Sequence, residues 1–298
     1  MKILKQKKYW VEHFNDEKYV KLRKDIINSF KDLVFDEGPH KYYLHGKEIT
    51  CVSNVTHMFK PHFDTDDMAQ QTYERNYNNE RSKYYKMTPE MIKEEWAKIS
   101  KEACSHGTER HEFAESIFYF MTNQFDKILE PFKDRLSYDE NNEPIFIAKE
   151  PKEEAAVTFY EELPDSLFPI LAETKVYNEK LGYSGTFDLL MYYDATIDGK
   201  DDKNSGLCVM DWKTNKDLYK NFKDERLLPP FEGLQDMPLS IYKLQLSLYQ
   251  ICLEKIGLKT IARRIMWLLP NGTYDKIPLE SYTKQLEEEL IKHPIMLN

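Results

Sequence analysis

No stretch of this 298-residue chain is apolar over the twenty or so residues that cross a bilayer, and no apolar signal segment follows Met1. The basic start MKILKQKKYW soon meets Glu12, Asp16 and Glu17, which is unlike a transit peptide. The expectation is a protein that is not secreted and not membrane-bound. Cysteine is scarce. Cys51, Cys104, Cys208 and Cys252 are far apart and form no C-x-x-C, the wrong spacing for a structural zinc knot; they read as small buried hydrophobes in a reduced setting. Positive charge is also short, with 42 Lys and Arg against 51 Asp and Glu, a net charge of −9. That excludes a generally basic nucleic-acid coat, though not a locally positive groove. Internal repeats and low-complexity tracts are missing as well.

What is present suits a folded core. Hydrophobic residues make up 41% of the chain, and 20 Tyr and 16 Phe argue against long disorder. Residues 1–34 read as a helical arm, with Ile26, Ile27, Phe30, Leu33 and Val34 at near-helical spacing. Residues 35–298 then form a single domain with a helical insertion around 62–104. Lys41–Leu44 and Glu48–Val52 predict a hairpin about His45-Gly46, with Ser53 capping a short helix through Phe59. Thr88-Pro89-Glu90 opens a helix that runs through Trp96 to about Cys104, and Gly107-Thr108 breaks it and caps the next. That second helix carries His111 and Glu115 on one face. Residues 124–150 read as polar helix and loop with a turn at Asn141-Asn142, and Phe168–Tyr177 as a strand. In that strand Glu173 is either a further carboxylate of a site or an ordinary exposed one. Leu239–Gly257 predicts a helix bearing Gln245 and Tyr249 one turn apart, Ile261–Leu269 a strand, and Leu279–Ile291 a closing helix. Strands with flanking helices fit a mixed α/β core.

The stretch from Gly182 to Thr214 concentrates the chemistry. Leu189–Tyr193 and Leu207–Thr214 read as two strands joined by the polar loop Asp194–Gly206. Asp188 stands at the start of the first strand. The side-chain period of two puts Asp211 and Lys213 on one face of the second and Met210 and Trp212 on the other. With Asp188 opposite Asp211, two carboxylates and an ammonium converge, an arrangement that a divalent cation relieves. Taken alone, an Asp-x-Lys on a strand is ordinarily a surface ion pair, and a lone histidine at a helix start is ordinarily a packed or solvent-facing one.

Five motifs in order change that weighting: Gly107-Thr108-x-x-His111, the strand with Glu173, Gly185-Thr186-Phe187-Asp188, Asp211-Trp212-Lys213 and Gln245-x-x-x-Tyr249. Together they resemble the PD-(D/E)XK nuclease superfamily in its RecB-like exonuclease branch, over roughly residues 35–270, with N-terminal features like those of phage and mitochondrial members. Phe187 stands where the superfamily's name has proline, and the interval from Asp188 to Asp211 is long for the branch, lengthened in its polar loop. The resemblance implies a restriction-endonuclease-like α/β (α+β) fold, with a central mixed sheet flanked by helices. It also implies a metal-dependent DNA nuclease, an exonuclease, working in recombination, repair or replication.

Within that family pattern, His111, Asp188, Asp211 and the Trp212 carbonyl hold Mg²⁺ or Mn²⁺, and Lys213 orients or deprotonates the attacking water. Gln245 and Tyr249 bind nucleic acid near the cut or pack their helix, and Glu173, Glu115 and Thr214 support the site. Nothing follows Cys252 that could complete the iron–sulfur cluster of some members, so none is expected. The implied partners are DNA ends, single- or double-stranded, and replication or recombination proteins. The implied location is cytoplasmic, in a bacterial host where the source is viral. The rival is a catalytically silent nucleic-acid-binding or assembly subunit on the same scaffold.

Overall fold

The computed structural model describes residues 1–221 and 224–295. Eleven strands and eight α-helices alternate in it, in two sheets. The chain opens with β1 (Lys2–Lys5), α1 (Lys8–His13), α2 (Glu17–Ser29) and β2 (Leu33–Asp36). Residues 1–34 therefore begin and end in strands and are not a wholly helical arm. Their apolar residues Leu4, Trp10, Tyr19, Ile26 and Phe30 are buried in the main core, where Trp10 meets Tyr160 edge-on. β3 (Lys41–Leu44) and β4 (Lys47–Cys51) form the expected hairpin, whose turn places His45 and Gly46 at positive φ. The next helix, α3 (Val52–His57), is entered from Cys51, and Ser53 lies inside its first turn instead of capping it.

α4 (Thr65–Asn76) is capped by Asp64, whose side chain accepts from the amides of Asp66 and Asp67. α5 runs from Pro89 to Met121 without interruption, opened by Thr88 as expected. The expected break at Gly107-Thr108 does not occur. An interior glycine costs a helix about 1 kcal/mol, which a 33-residue helix anchored by the buried residues of its C-terminal third absorbs. The Thr108 hydroxyl donates back to the Cys104 carbonyl at 3.1 Å, the mid-helix alternative to capping. Residues 124–150 are likewise more than helix and loop. β5 (Leu136–Tyr138) and β6 (Pro144–Ala148) form a hairpin over the Asn141-Asn142 turn, and β1 completes a three-stranded sheet with them. α6 (Pro151–Glu162) follows, closed at its start by a capping box between Glu150 and Glu153.

The large sheet is built from β7 (Leu167–Asn178), β8 (Tyr183–Tyr193), β9 (Gly206–Lys213), β10 (Thr260–Leu268) and β11 (Tyr274–Pro278), joined by β2, β3 and β4. α7 (Pro238–Lys255) lies on it, and α8 (Thr283–Lys292) packs on α7. The result is a mixed α/β protein with a mixed sheet flanked by helices. Among the described residues no helix is long and apolar enough to cross a membrane.

The pairing of β8 leaves a fork in this sheet. β7 pairs along the whole of one edge of β8, from Tyr183 to Tyr193. The opposite edge is shared between two strands. Parallel β4 takes Tyr183 and Ser184, and antiparallel β9 takes Leu189 through Tyr193. Residues 185–188 lie in the fork between them. In open α/β sheets, such a point, where neighbouring strands part, is where a crevice forms.

Candidate functional site

Gly185-Thr186-Phe187-Asp188 fills that fork, and its glycine has a packing reason. A Cβ at Gly185 would lie 2.9 Å from Tyr249 Cε1 and 3.1 Å from Val52 Cγ2, so a bare Cα lets α7 and α3 approach the strand. The buried Tyr183 hydroxyl donates to the Leu248 carbonyl at 2.9 Å and fixes α7 at that height. Asp188 is thus in the middle of β8, not at its start.

Antiparallel registers on both sides of β8 put three acidic residues in one row. Leu189 pairs with Met210, which sets Asp188 beside Asp211; Ala172 with Leu189 and Thr174 with Phe187 bracket Glu173 opposite Asp188. Residues directly opposite in such pairs share a face, so the row is a row of carboxyls. Glu173 also has φ +43, inside a strand. Left-handed backbone at a residue with a Cβ costs roughly 1–2 kcal/mol, and strain of this kind gathers at functional sites.

The neighbouring helices complete the cluster. α5 buries Phe113, Ala114, Ile117 and Phe118, and this anchoring turns half-buried His111 toward the fork. There His111 Nδ1 lies 3.3 Å from Asp188 Oδ2. One donor atom each from His111, Glu173 and Asp188 lies within 4.8 Å of the others, close enough to share a metal ion. Asp188 Oδ2 also accepts from the Trp212 amide at 2.7 Å. Lys213 pairs with Asp211 and lies 4.5 Å from the centre of the Tyr242 ring on α7, while Trp212 packs edge-on to Phe159 of α6, 5.0 Å away. The two faces expected for β9 are therefore both observed.

Asp211 is the least satisfied group in the cluster. It is 1% exposed, and apart from the ionic contact with Lys213 neither carboxylate oxygen has a hydrogen-bond partner among the described residues. Burial, reinforced by the Asp188 carboxylate, pushes its carboxyl up to about 6 against the pull of Lys213 and His111. Burial also raises Glu173 well above the ordinary range, helped by the carboxylates of Asp188, Glu115 and Asp211. For Asp188 burial acts upward too, but His111, Lys213 and the Trp212 amide outweigh it and hold the carboxyl below its usual value. Lys213 is held above its usual value because Asp211 and Asp188 overcome its burial. Three carboxyls against one ammonium and one imidazole leave a site that a cation would stabilise.

Other candidates fall into place differently. Gln245 Nε2 donates to the Tyr249 hydroxyl at 3.3 Å, and both line a cavity of about 100 Å³ with Tyr42, Gly185 and Thr186 at the side of the fork. Glu115 does not hold His111; its carboxylate accepts from the Tyr119 hydroxyl at 2.9 Å, while His111 turns to Asp188. The Thr214 carbonyl accepts from Lys152 at 2.7 Å, which ties the end of β9 to α6. Motif reading had not singled out Tyr242, Asn215 or Trp267. The Tyr242 hydroxyl donates to Asn215 Oδ1 at 2.9 Å and Trp267 Nε1 to the Asn215 carbonyl at 2.7 Å, pinning the segment after Lys213. Tyr242 sits three residues before Gln245 on the same helix, a spacing that pointed to it.

Comparison with known proteins adds no family: no family model matches the chain, and no curated protein matches it.

Proposed function

We propose that this chain is a metal-dependent deoxyribonuclease, and within that class an exonuclease, on a restriction-endonuclease-like core. The observation that carries the reading is the carboxyl row at the fork, buried Asp188 and Asp211 with half-buried Glu173, flanked by Lys213 and His111, in which Asp211 has only its ionic contact with Lys213 among the described residues. Such a cluster is costly in a folding scaffold and useful in a metal site. The donor set of carboxylate oxygens and one imidazole nitrogen suits Mg²⁺ or Mn²⁺, and the imidazole favours Mn²⁺. His111, Glu173 and Asp188 would hold the ion with Asp211 beside them, and the ion would supply charge neutralisation at the phosphate and a more acidic water.

The chain's own groups do the rest. Lys213 is charged at neutral pH, so its Nζ orients a water by donating hydrogen bonds and meets the negative charge that develops on phosphorus oxygens; a neutral amine acting as base fits its environment less well. Tyr242 beneath the ammonium and Asp211 beside it limit where Nζ can point. The Asp188 carboxylate, 3.3 Å from His111 Nδ1, also keeps the imidazole turned into the fork beside it. Gln245 and Tyr249 form a wall of the fork against which a strand near the cut would lie.

The test is incubation with end-labelled linear and covalently closed circular DNA, single- and double-stranded, with Mg²⁺, Mn²⁺ or EDTA. Metal-dependent loss of linear DNA alone supports an exonuclease, and cutting of circles makes it an endonuclease. DNA binding without cleavage under every condition would leave the silent scaffold in its place.

A further inference from the structure

A second cleft lies between α4 and α5, apart from the carboxyl row. It has a volume of about 360 Å³ and is lined chiefly by Phe63, Met68, Arg75, Tyr84, Trp96 and Glu225. Trp96 Nε1 donates to the Tyr84 hydroxyl at 2.9 Å, and the two rings stand edge to face at 89°, so the aromatic corner is fixed before any ligand arrives. Phe63 is 63% exposed at its rim, its ring open to a ligand. The polar groups are equally specific in kind: a guanidinium and a carboxylate, able to meet the donor and acceptor edge of a heterocycle. Residues 75–86, RNYNNERSKYYK, carry four basic side chains and one acidic one in a protein whose net charge is −9, and three tyrosines lie among them.

Trp96 and His111 sit on the same uninterrupted helix. Fifteen residues at 1.5 Å each separate them by about 22 Å, and at 3.6 residues per turn they point within about 60° of one another. A nucleic-acid strand rising about 3.4 Å per nucleotide covers that span in roughly six nucleotides.

We infer that this cleft is a nucleobase-binding subsite, which takes one unstacked base of a single strand whose scissile phosphate lies at the fork. Aromatic walls, a planar guanidinium and the basic 75–86 segment beside them are what an unpaired base with its phosphates requires, and duplex bases could not enter. The inference rests on the nuclease reading and adds to it a preference for single-stranded substrate a few nucleotides long or more.

The experiment compares wild type with Trp96→Ala, Trp96→Phe and Phe63→Ala on two substrates: a single-stranded 12-mer and bis(p-nitrophenyl) phosphate, which can occupy the fork alone. The alanine variants should raise KM for the 12-mer about five- to a hundredfold, the loss of one stacked base, with little change on the small ester. Trp96→Phe should recover most of the loss, because a ring remains. In a parallel arm, 12-mers carrying one 5-iodouracil at successive positions should photo-cross-link to the 63–100 segment from a single position. Unchanged KM in Trp96→Ala and Phe63→Ala, or no cross-link to that segment, overturns the subsite while leaving the nuclease intact. Equal loss on both substrates shows a general structural effect and also overturns it. Wild type inert toward both substrates with every metal overturns the nuclease reading itself.

Discussion

Two buried aspartates lie near opposite ends of the β8–β9 hairpin, and they are treated in opposite ways. Asp194, just past the end of β8, is 1% exposed and accepts from Lys18, from the Tyr19 hydroxyl at 3.1 Å, and from the Thr196 amide at 3.1 Å and hydroxyl at 2.5 Å. Asp211, equally buried, has Lys213 as its one ionic partner among the described residues and faces a second carboxylate. Burial acts upward on both carboxyls. At Asp194 the hydrogen bonds from Lys18 and Thr196 overcome it and hold the carboxyl below its usual value, whereas at Asp211 the pull of Lys213 and His111 does not offset burial and the Asp188 carboxylate. Equal exposure therefore leaves the two carboxyls in opposite states, and the supply of donors and the neighbouring charges decide which. Asp194 ties α2 to the sheet, and Asp211 keeps only its contact with Lys213 among the described residues.

Substitutions should break this comparison cleanly. Asp211→Ala should reduce metal-dependent cleavage by about a thousandfold or more, while urea unfolding shows stability close to wild type, because Lys213 keeps the Asp188 carboxylate as a partner and the cluster loses its excess negative charge. Lys213→Ala should lower kcat by about a hundredfold in the same cleavage assay, with Mn²⁺ binding by calorimetry largely kept. Asp194→Ala should do the reverse, costing about 2 kcal/mol in urea unfolding while the folded protein cleaves at the normal rate. Gly185→Ala lies between the two: the added Cβ meets the Tyr249 ring at 2.9 Å, so α7 must shift, costing about 1–3 kcal/mol and lowering kcat in the cleavage assay.

The smallest effect is in pH. A carboxyl whose folded value is depressed adds stability above its unfolded value of about 3.9, and that contribution is lost as the pH falls through the lower folded value. For Asp194, set among Lys18, Tyr19 and Thr196, the stability gap between wild type and Asp194→Asn should be constant from pH 7 to 5. It should then close below about pH 4, as followed by urea melts at each pH.

Much of this arrangement was legible in the residues. Period-two alternation in Met210-Asp211-Trp212-Lys213 gave both faces of β9, and the polar run after Asp194 gave the hairpin. The approach of His111 to Asp188 followed from motif order. What stayed hidden depends on long-range geometry. The left-handed backbone at Glu173 and its register against Asp188 have no local signal in FPILAETKVY, which reads as an unbroken strand. Gly107 signals a helix end in any window of ten residues, and the tertiary anchoring of α5 overrides it. Asp194 looked like loop polarity because its donor Lys18 stands 176 residues away. The β1–β6 pairing joins the chain's start to residue 148 and is invisible to periodicity for the same reason.

The central claim, that the fork carboxyls form a cation site, is tested most directly by thermal unfolding with and without Mn²⁺ in wild type and in Asp188→Ala. A ligand that binds the folded state alone stabilises it by RT ln(1 + [L]/Kd), about 2.7 kcal/mol at a hundredfold excess over Kd. The account predicts a rise in Tm that grows with Mn²⁺ concentration in wild type and disappears in the variant. A wild-type Tm indifferent to Mn²⁺, or an equal rise in both proteins, would contradict it.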